Sequence, residues 1–516
     1  MDNKLHKGAY PVITYVVQQG DSLYSIAQRF GVTVDALMKA NRLSSPALNV
    51  GQHLSVPVSG PVTYVVRAHD SLYSIAKMFN TTVEALMQLN PQASMNLNIG
   101  QRLRIPIYTE VIVRTDTANI RRYASAQAPV LAQMARSARI PVTGIVGDWI
   151  QVRIYNGHLG WVNRANVTLV PHDGQRPIQE VFGFYTEEEG PTLPSSYDVF
   201  AAQTANLSNV GMFHFRINRQ NPTEIEKFPA TFTDEYMRDV VSFGHRHNIK
   251  MLPTVHNLLY ERGNQNANKE VIHGMLDTQE NRTAFIASIV KLIQSYDFDG
   301  VNIDFEDVRY EDRNKLSAFY RELGAAMKER GYYFSVDVPS RESDEPTNPF
   351  SAPFNYSVLG EVVDELVLML YNEHGWPGSG PGPVVSIGWM KTVIGYALTK
   401  MPANKITAAV SVFGFDFNLT TKRNTYATYQ MAMDLAKKYN KDIIFDEKTQ
   451  TPMFAYTDES GNEHEVWFEN AASIKAKMDL ANQLGIRGIA LWRLGMEDPA
   501  IWTMMRDHFV IRKSVM

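Results

Sequence analysis

The 516-residue sequence predicts an α/β protein, in which a TIM (β/α)8 barrel with a small α+β insertion follows two βααβ modules and a small all-β module. Three observations predict this fold. Over the last 330 or so residues, strand-length apolar runs alternate with helical stretches. A segment near the N-terminus repeats at a fixed period, and short strands surround a hairpin turn between these two regions.

Composition excludes several classes of function. The formal net charge is −4, which gives no support for a nucleic-acid partner or an anionic membrane surface. The sequence has no cysteine, which excludes disulfides, cysteine nucleophiles and thiolate metal sites. The N-terminal residues Met1 to Gly8 are polar and no apolar run reaches membrane-spanning length, so we expect no signal peptide and no membrane insertion. We also expect no metal and no cofactor.

The first repeated segment lies at residues 15–57 and the second at 64–106. The two copies align without a gap at a period of 49, and 24 of 43 positions are identical. Shared elements are Tyr-Val-Val, Asp-Ser-Leu-Tyr-Ser-Ile-Ala and Gly-Gln-x-Leu-x-x-Pro. They predict a short strand, a helix capped by Asp21 or Ser22, a second helix and a closing strand in each copy.

These repeats resemble LysM domains, which we place at residues 13–58 and 62–107. The family binds glycans built on N-acetylglucosamine, such as peptidoglycan and chitin, in a groove between the loop after the first strand and the loop before the second. The resemblance implies that the groove consists of Gly20, Asp21, Ser22, Leu23, Asn49, Val50 and Gly51 in one copy and Asp70, Ser71, Leu72, Asn98, Ile99 and Gly100 in the other. His69 replaces the glycine of the second copy, and Asp21 and Asp70 are explained equally well as helix caps.

Residues 108–171 form a different module. Three short strands are predicted at 118–121, 148–152 and 156–162, with a hairpin turn at Asn156-Gly157. The spacing resembles bacterial SH3-like domains, which occur in cell-wall enzymes. We expect Trp149 and Trp161 to pack within the module rather than to form a ligand platform. A wall-binding role and a rigid spacer are both compatible with this segment.

The barrel prediction depends on eight apolar runs. They are Ile178 to Tyr185, Val210 to Phe215, Lys250 to His256, Gly300 to Glu306, Tyr333 to Val338, Glu365 to Tyr371, Lys405 to Phe413 and Gly488 to Leu494. Active sites of such barrels lie at the C-terminal ends of the strands. Asp304 and Glu306 end the fourth run, Tyr371 ends the sixth, and Trp492 lies near the end of the eighth.

The fourth run also carries an unusual alternation of polar and apolar residues. Asn302, Asp304 and Glu306 share one face of the strand, while the residues between them are Ile303 and Phe305. Burying an ionised carboxylate costs several kcal/mol, so a pair of carboxylates at the end of a buried strand predicts chemistry.

The segment Asp299-Gly300-x-Asn302-x-Asp304-x-Glu306 resembles the signature of glycoside hydrolase family 18. Met369-Leu370-Tyr371-Asn372, Phe413 to Phe417 and Trp492 are similar to further motifs of that family. The resemblance implies a catalytic domain at residues 178–512. It also implies an insertion at about residues 425–470, as in spore-associated members.

The resemblance implies roles for individual residues. Glu306 donates a proton to the glycosidic oxygen, and Asp304 orients the substrate's 2-acetamido group, whose oxygen attacks the anomeric carbon. Tyr371 hydrogen-bonds to the acetamido carbonyl and Trp492 packs against the sugar. Further substrate contacts are expected from Asn302, Asn372, Met369, Tyr185 and Asp416. Because Asn302 stands where many relatives have a third aspartate, we expect Asp304 to stay anionic unless it pairs with Glu306.

The sequence therefore predicts a peptidoglycan hydrolase, with spore cortex as the expected substrate, that cleaves after N-acetylglucosamine with retention. Its partner would be peptidoglycan or another N-acetylglucosamine polymer, and its location the spore envelope or cell wall. A chitinase would share every catalytic residue and remains an alternative. A glycan-binding protein without activity is a third possibility, which the presence of Glu306 disfavours.

Overall fold

A computed structural model describes residues 12–30, 32–41, 43, 45–57, 61–79, 81–187, 193–228, 232–259, 266–345, 348–371, 373–376 and 378–514. The described residues divide into two compact units, the first formed by those up to Gln179 together with 245–248 and 508–514, and the second by those within 180–244 and 249–507. Within the described residues, no helix is both long enough and apolar enough to cross a bilayer.

The first unit begins with the two repeats, and each has the predicted βααβ order. The first repeat consists of β1 (Val12–Val16), α1 (Leu23–Phe30), α2 (Val34–Ala40) and β2 (His53–Pro57). The second consists of β3 (Val62–Val65), α3 (Leu72–Met78), α4 (Val83–Leu89) and β4 (Arg102–Ile105). In each repeat the two strands pair in an antiparallel sheet.

Serine, not aspartate, caps the first helix of each repeat. Ser22 Oγ accepts a hydrogen bond from the backbone N–H of Ser25, and Ser71 Oγ accepts the equivalent bond from Ser74. Asp21 instead accepts hydrogen bonds from the Tyr15 hydroxyl and a backbone N–H in the preceding turn. Asp21 therefore holds the loop against β1, and the next residue, Ser22, is the N-cap of the helix.

The two repeats share one hydrophobic core. The rings of Tyr15 and Phe30 from the first repeat lie 5.9 Å from Phe79 of the second, measured between centroids, and Tyr64 lies 5.4 Å from Phe79. A unit of about forty residues buries too little apolar surface to be stable on its own in most cases. Packing both repeats around Phe79 enlarges the core that each can use.

The all-β module is one antiparallel sheet of seven strands. These are β5 (Tyr108–Val113), β6 (Thr117–Arg121), β7 (Val130–Ala135), β8 (Arg139–Val146), β9 (Trp149–Arg153), β10 (Leu159–Asn163) and β11 (Val167–His172), in the spatial order β11-β5-β8-β9-β10-β6-β7. β9 and β10 form the predicted hairpin, and Gly157 in its turn has a φ of 82°. Trp149 and Trp161 lie half-buried on these two strands.

The barrel contains the elements from Ile178 onward. Its first half consists of β12 (Ile178–Tyr185), α5 (Tyr197–Ala202), β13 (Asn209–Ile217), β14 (Ile225–Lys227), α6 (Asp234–Arg246), β15 (Lys250–His256), α7 (Ala267–Leu276), α8 (Gln279–Tyr296), β16 (Gly300–Asp304) and α9 (Arg313–Arg330). The rest consists of β17 (Tyr333–Pro339), α10 (Tyr356–Val362), β18 (Glu365–Leu370), α11 (Ile387–Leu398), β19 (Ile406–Ser411), β20 (Phe413–Asn418), β21 (Arg423–Thr428), α12 (Tyr429–Lys438), β22 (Ile444–Asp446), β23 (Thr451–Thr457), β24 (Glu463–Trp467), α13 (Ala471–Leu484), β25 (Gly488–Trp492), α14 (Ala500–His508) and β26 (Val510–Ile511).

Eight parallel strands close the barrel, which confirms the predicted fold. β12, β13, β15, β16, β17, β18, β19 and β25 pair in this order, and β25 pairs again with β12. All eight apolar runs of the sequence correspond to these strands. The inward-facing residues include Phe182, Leu252 and Val367, and Tyr371 and Trp492 pack against them.

The insertion between the seventh and eighth barrel strands is a sheet of its own. Its spatial order is β21-β20-β24-β23-β22, and α12 packs on it. The sheet starts at Phe413, earlier than the residue near 425 that the sequence suggests, because Phe413–Asn418 turns back and pairs with Arg423–Thr428.

Helix ends in the barrel follow local sequence signals. The Thr278 and Asn470 side chains accept hydrogen bonds from the first turns of α8 and α13. α9 and α13 end at Gly331 and Gly485, whose positive φ values of 70° and 66° suit glycine.

The start of β16 requires glycine for close strand approach. A Cβ added to Gly300 would lie 1.9 Å from the carbonyl oxygen of Tyr333 on β17. The backbone cannot yield there without breaking the pairing of these two strands. Gly300 therefore permits the contact that places the polar residues of β16 beside those of β17.

We expect Gly300→Ala to lower the free energy of unfolding by about 1–3 kcal/mol, because the added methyl group overpacks the strand pair. Gly395→Ala is the matched control, since nothing lies within 4 Å of the added Cβ in α11. Alanine there should be neutral or stabilise by up to about 1 kcal/mol. Calorimetric unfolding of both variants measures the difference, and equal midpoints would contradict this account of Gly300.

Candidate active site

The polar face of β16 faces the barrel interior, and its neighbours are set by strand register. Asp304 lies opposite His256 of β15 on one side and Asp337 of β17 on the other. Residues in register on adjacent parallel strands point to the same side of the sheet. Asp304 and Asp337 are 4% and 1% exposed, while Glu306, two residues beyond Asp304, is half-buried.

Asn257 holds the backbone of Glu306 at the tip of the strand. The N–H of Glu306 donates to Asn257 Oδ1 at 2.8 Å, and Asn257 Nδ2 donates to the Glu306 carbonyl oxygen at 2.7 Å. Asn257 is fully buried and directly follows β15. Asn257 is not among the predicted site residues, although an amide directly after a buried strand is a pattern that indicates such a role.

The environment of Glu306 favours the protonated acid. Burial, together with the negative charge of Asp307, raises the pKa of Glu306 to about 7. Asp307 has a φ of 56° and its carboxylate lies 3.2 Å from the Lys269 ammonium group. At neutral pH a substantial fraction of Glu306 therefore carries a proton that it can donate.

Asp304 has a carboxylate neighbour that the sequence analysis misses. Burial raises the pKa of Asp304 well above its usual value, and the charges of Glu306 and Asp337 raise it further. The expectation that Asp304 stays anionic unless it pairs with Glu306 did not include this second carboxyl neighbour, Asp337 of β17. The signal was present, because Ser335 and Asp337 alternate with apolar residues in β17 as Asn302 and Asp304 do in β16.

Asn302 lies one layer deeper in the barrel and is fully buried. Its Nδ2 donates to Asp337 Oδ2 at 2.7 Å, and its Oδ1 accepts from Ser335 Oγ at 2.7 Å. A second, longer bond joins Nδ2 to Thr254 Oγ1 at 3.3 Å. These bonds give Asn302 a role in orienting Asp337.

Tyr371 and Trp492 lie together at the mouth of the barrel. Their ring centroids are 6.4 Å apart, and Trp492 contacts Phe184 and Phe213 edge-on at 5.2 and 4.9 Å. Burial, followed by the charges of Asp337, Asp304 and Glu306, raises the pKa of Tyr371, so its hydroxyl keeps its proton. Met369, two residues before Tyr371, is half-buried on the same side of β18.

Two other expected contact residues have protein partners. Tyr185 is fully buried, and its hydroxyl bonds with Glu187 at 3.1 Å and with the hydroxyl of Tyr236 at 3.2 Å. Asp416 lies on β20 of the insertion, where it accepts hydrogen bonds from the Tyr456 hydroxyl and the His464 ring. Asn372 lies outside the described residues.

The expected grooves of the two repeats have the same backbone geometry. Gly20, Gly51 and Gly100 have φ values of 87°, 86° and 87°. His69 adopts the left-handed conformation of its glycine counterpart, with a φ of 71°, so the loop keeps its shape in the second copy. The backbone N–H groups of Asn49 and Asn98 donate to the side chains of glutamines three residues later.

Side chains of these loops differ in exposure. Leu23 and Leu72 are 2% and 1% exposed in the shared core, so only their backbones can contact a glycan. Val50 and Ile99, at equivalent positions, are 70% and 74% exposed. Tyr24 and Tyr73, which are not among the predicted groove residues, are exposed to a similar degree.

The residues at the ends of β16, β17 and β18 provide acid–base groups. A carboxylic acid with a pKa near 7, two further carboxyl groups and a tyrosine hydroxyl face one another. In the described part of the chain, no group of three or more His, Asp or Glu side chains is placed to hold a metal ion.

Comparison with protein families assigns each segment. The model of glycosyl hydrolases family 18 matches residues 181–497, more than half of the chain. The chain belongs to glycosyl hydrolase family 18. The LysM model matches residues 15–57 and 64–106 of this glycoside hydrolase, and the bacterial SH3 model matches 116–168.

Relatives of this family 18 enzyme include proteins of Bacillus species. The cortical fragment-lytic enzyme of Bacillus subtilis (strain 168) is 31% identical over 336 residues, which cover 64% of this chain and 75% of that relative. The crystal structure of the Bacillus cereus spore cortex-lytic enzyme SleL has a TM-score of 0.59 and 26% identity, and the match covers 97% of this chain and 99% of SleL.

A chitinase also has a similar barrel. The crystal structure of the Chromobacterium violaceum chitinase has a TM-score of 0.56 and 25% identity. That match covers 64% of the family 18 enzyme described here and 98% of the chitinase.

We expect Asp307→Asn to lower the pKa of Glu306, because the neutral amide removes a negative charge that favours the protonated acid. Asparagine tolerates the positive φ at this position, so the loop should keep its shape. NMR titration of protein labelled with ¹³C-glutamate measures the pKa, and loss of one resonance in Glu306→Gln assigns it. An unchanged pKa in Asp307→Asn would show that burial alone sets the value.

Proposed function

We propose that this enzyme hydrolyses spore cortex peptidoglycan at the β-1,4 bond after N-acetylglucosamine, with retention of configuration. The observation that carries the proposal is the position of Glu306, a carboxylic acid with a pKa of about 7 at the tip of a barrel strand, close to Asp304 and Tyr371. The names of two similar proteins, a cortical fragment-lytic enzyme and a spore cortex-lytic enzyme, support cortex as the substrate.

Glu306 is the proposed general acid. The glycosidic oxygen is a poor leaving group, so its departure requires a proton. A group with a pKa near the working pH can hold the proton and also release it. Asn257 holds the two peptide groups that flank the Glu306 Cα, which limits the positions that the carboxyl group can take.

The proposed nucleophile is the substrate's own acetamido oxygen, as in substrate-assisted family 18 hydrolases. It would form an oxazolinium ion, whose positive charge the Asp304 carboxylate stabilises while the Tyr371 hydroxyl donates to the acetamido oxygen. Because the attacking oxygen belongs to the substrate itself, the activation barrier can be lower by on the order of 7–11 kcal/mol in favourable geometry, mainly through the entropy that a separate nucleophile would lose. Glu306, having lost its proton, then accepts one from the water that opens the ion.

Trp492 would form the floor of the sugar site. Its indole is half-buried and is held edge-on by two phenylalanines, so one part of the ring system stays available at the barrel mouth. Aromatic rings of this kind pack well against the apolar faces of sugars and acetamido methyl groups. Met369 would contribute a further apolar contact beside it. The other proposed contact residues are Asn302, Asn372, Tyr185 and Asp416.

The two LysM modules are proposed to anchor the enzyme to the wall polymer. Each copy presents an exposed aliphatic residue, Val50 or Ile99, beside a glycine in a left-handed loop. Tethering raises the local concentration of substrate without adding contacts at the active site. This arrangement supports a location in the spore envelope or cell wall.

Chitin is the alternative substrate, because the barrel also resembles that of a chitinase. Mass analysis of the products from spore cortex, vegetative peptidoglycan and chitin oligomers separates the two substrates. Cleavage after N-acetylglucosamine in cortex is the expected result. Release of fragments from chitin but not from cortex would overturn the choice of peptidoglycan.

We expect Glu306→Gln to reduce kcat on cortex fragments by roughly 10²–10⁴-fold, because the amide cannot donate the proton that the leaving oxygen needs. Binding to insoluble peptidoglycan should remain close to that of the parent. A sedimentation assay and reducing-sugar release measure the two quantities. Turnover at the parental rate would refute the proposed role of Glu306.

We expect the double variant Val50→Asn/Ile99→Asn to lose retention on insoluble peptidoglycan by roughly 30-fold, since each exposed aliphatic contact contributes about 1 kcal/mol when buried and about 1.4 kcal/mol corresponds to tenfold. Hydrolysis of a soluble oligosaccharide should not change. Ile444→Asn, at an aliphatic residue 60% exposed in the insertion, is the matched control. Equal retention by the control and the double variant would exclude these two residues from the glycan contact.

A further inference from the structure

Asp304 and Asp337 form a buried pair of carboxyl groups. They lie opposite each other in register on β16 and β17, so both side chains project from the same face of the sheet. Both are more than nine-tenths buried. Two negative charges at neighbouring positions in an apolar interior repel each other strongly, so the pair favours a state with one proton.

The hydrogen bonds around the pair leave one oxygen of each group available. Asp337 Oδ2 accepts the bond from Asn302 Nδ2. Within the part of the chain that the structure describes, Asp337 Oδ1 and Asp304 Oδ1 are buried and have no hydrogen-bond partner. A buried acceptor without a donor is unfavourable, and a proton between the two carboxyl groups would give both oxygens a hydrogen bond.

The groups that face the pair come from several elements. Glu306 lies beyond the end of β16, Glu365 and Tyr371 belong to β18 and the residue after it, and Tyr320 is on α9. His256 lies beside Asp304 on β15, where burial lowers its pKa to about 3, so the ring is neutral. Because these neighbours are acidic or neutral, they disfavour a second negative charge on the pair, which therefore keeps a proton.

We propose that Asp337 is a positioning residue that shares one proton with Asp304 and takes that proton when Asp304 must act as a carboxylate. The O–H bond at Asp304 Oδ1 breaks and an O–H bond at Asp337 Oδ1 forms, so the pair keeps a net charge of −1 and no other reactant is needed. The inference rests on the proposed function, in which the Asp304 carboxylate stabilises the oxazolinium ion.

Asn302 explains why the second carboxyl group comes from β17. An amide cannot exchange a proton with Asp304, but its N–H group can hold Asp337 Oδ2 and so direct Oδ1 of Asp337 away from itself. Ser335 in turn fixes Asn302 by donating to its carbonyl oxygen. The three residues form a chain of bonds across β16 and β17 that ends at the unpartnered oxygen of Asp337.

The shared proton predicts a distinct pH profile. It stabilises the singly charged pair, which therefore stays charged to lower pH than a lone buried carboxyl group would. In Asp337→Leu, which has no group that can donate to Asp304, Asp304 would be protonated at higher pH, because burial then raises its pKa without a partner to share the proton. The acid limb of kcat should move to higher pH, whereas the alkaline limb, which reports Glu306, should stay in place.

The test measures kcat and KM over a range of pH on cortex fragments, with the full chain. We expect Asp337→Leu to lower kcat by roughly 10- to 100-fold with little change in KM. Asn302→Asp/Asp337→Asn moves the carboxyl group to the other strand and should restore the acid limb and much of kcat. If Asp337→Leu does not fold, the double variant decides alone, because only a role for the carboxyl group predicts a parental acid limb.

A parental pH profile in folded Asp337→Leu would overturn the inference, as would a folded double variant that fails to restore the acid limb. Thermal unfolding of each variant establishes that it is folded. Glu306→Gln separates this inference from the proposed function. Parental turnover in Glu306→Gln would reject the function itself, whereas an inactive Glu306→Gln combined with a parental profile in Asp337→Leu would reject only the shared proton.

Discussion

Carboxyl groups that share one apolar layer of a barrel cannot all be ionised, and this constraint governs the ends of β16 and β17. Asp304 and Asp337 face each other there, with Glu306 just beyond. Each charge makes the next ionisation harder, so protons are retained at neutral pH. Burial and the charge of Asp307 raise the pKa of Glu306, while burial and the charges of Asp337, Asp304 and Glu306 keep the Tyr371 hydroxyl protonated. Burial and charge repulsion therefore suffice to keep protons on groups of this site at neutral pH.

The barrel supplies this constraint through strand register. Gly300 lets β16 approach the backbone of β17 at the start of the strand, and the pairing then continues to Asp304 and Asp337. On the other side of β16, β15 leads into Asn257, which bonds to the backbone of Glu306 in both directions. A shift of one residue in either pairing would turn the polar side chains of β16 away from these partners. The pairing of β16 with β15 and β17 therefore affects both the stability of the barrel and the positions of the acidic side chains.

The sequence predicts the parts of the site that lie on one strand and misses those that depend on pairing. Alternation along the strand correctly places Asn302 and Asp304 on one face of β16, and the eight apolar runs predict the barrel. Asp337 and Asn257 carry sequence signals of their own, but only strand register shows that β17 and β15 bring them beside β16. In the LysM loops, a family pattern predicts the segment but not which side chains turn outward. Leu23 faces the core, while the adjacent Tyr24 is exposed.

The identity of residue 302 follows from the same charge limit. With Asp304, Asp337 and Glu306 already present, a carboxyl group at position 302 would add a fourth acid to the layer. It could bond to Asp337 Oδ2 only by holding a proton itself, whereas the amide of Asn302 donates permanently. An aspartate at 337 therefore favours an amide at 302, and an aspartate at 302 would favour a neutral residue at 337. The two positions are coupled through one hydrogen bond, and the pair, rather than either residue, determines the charge that Asp304 experiences.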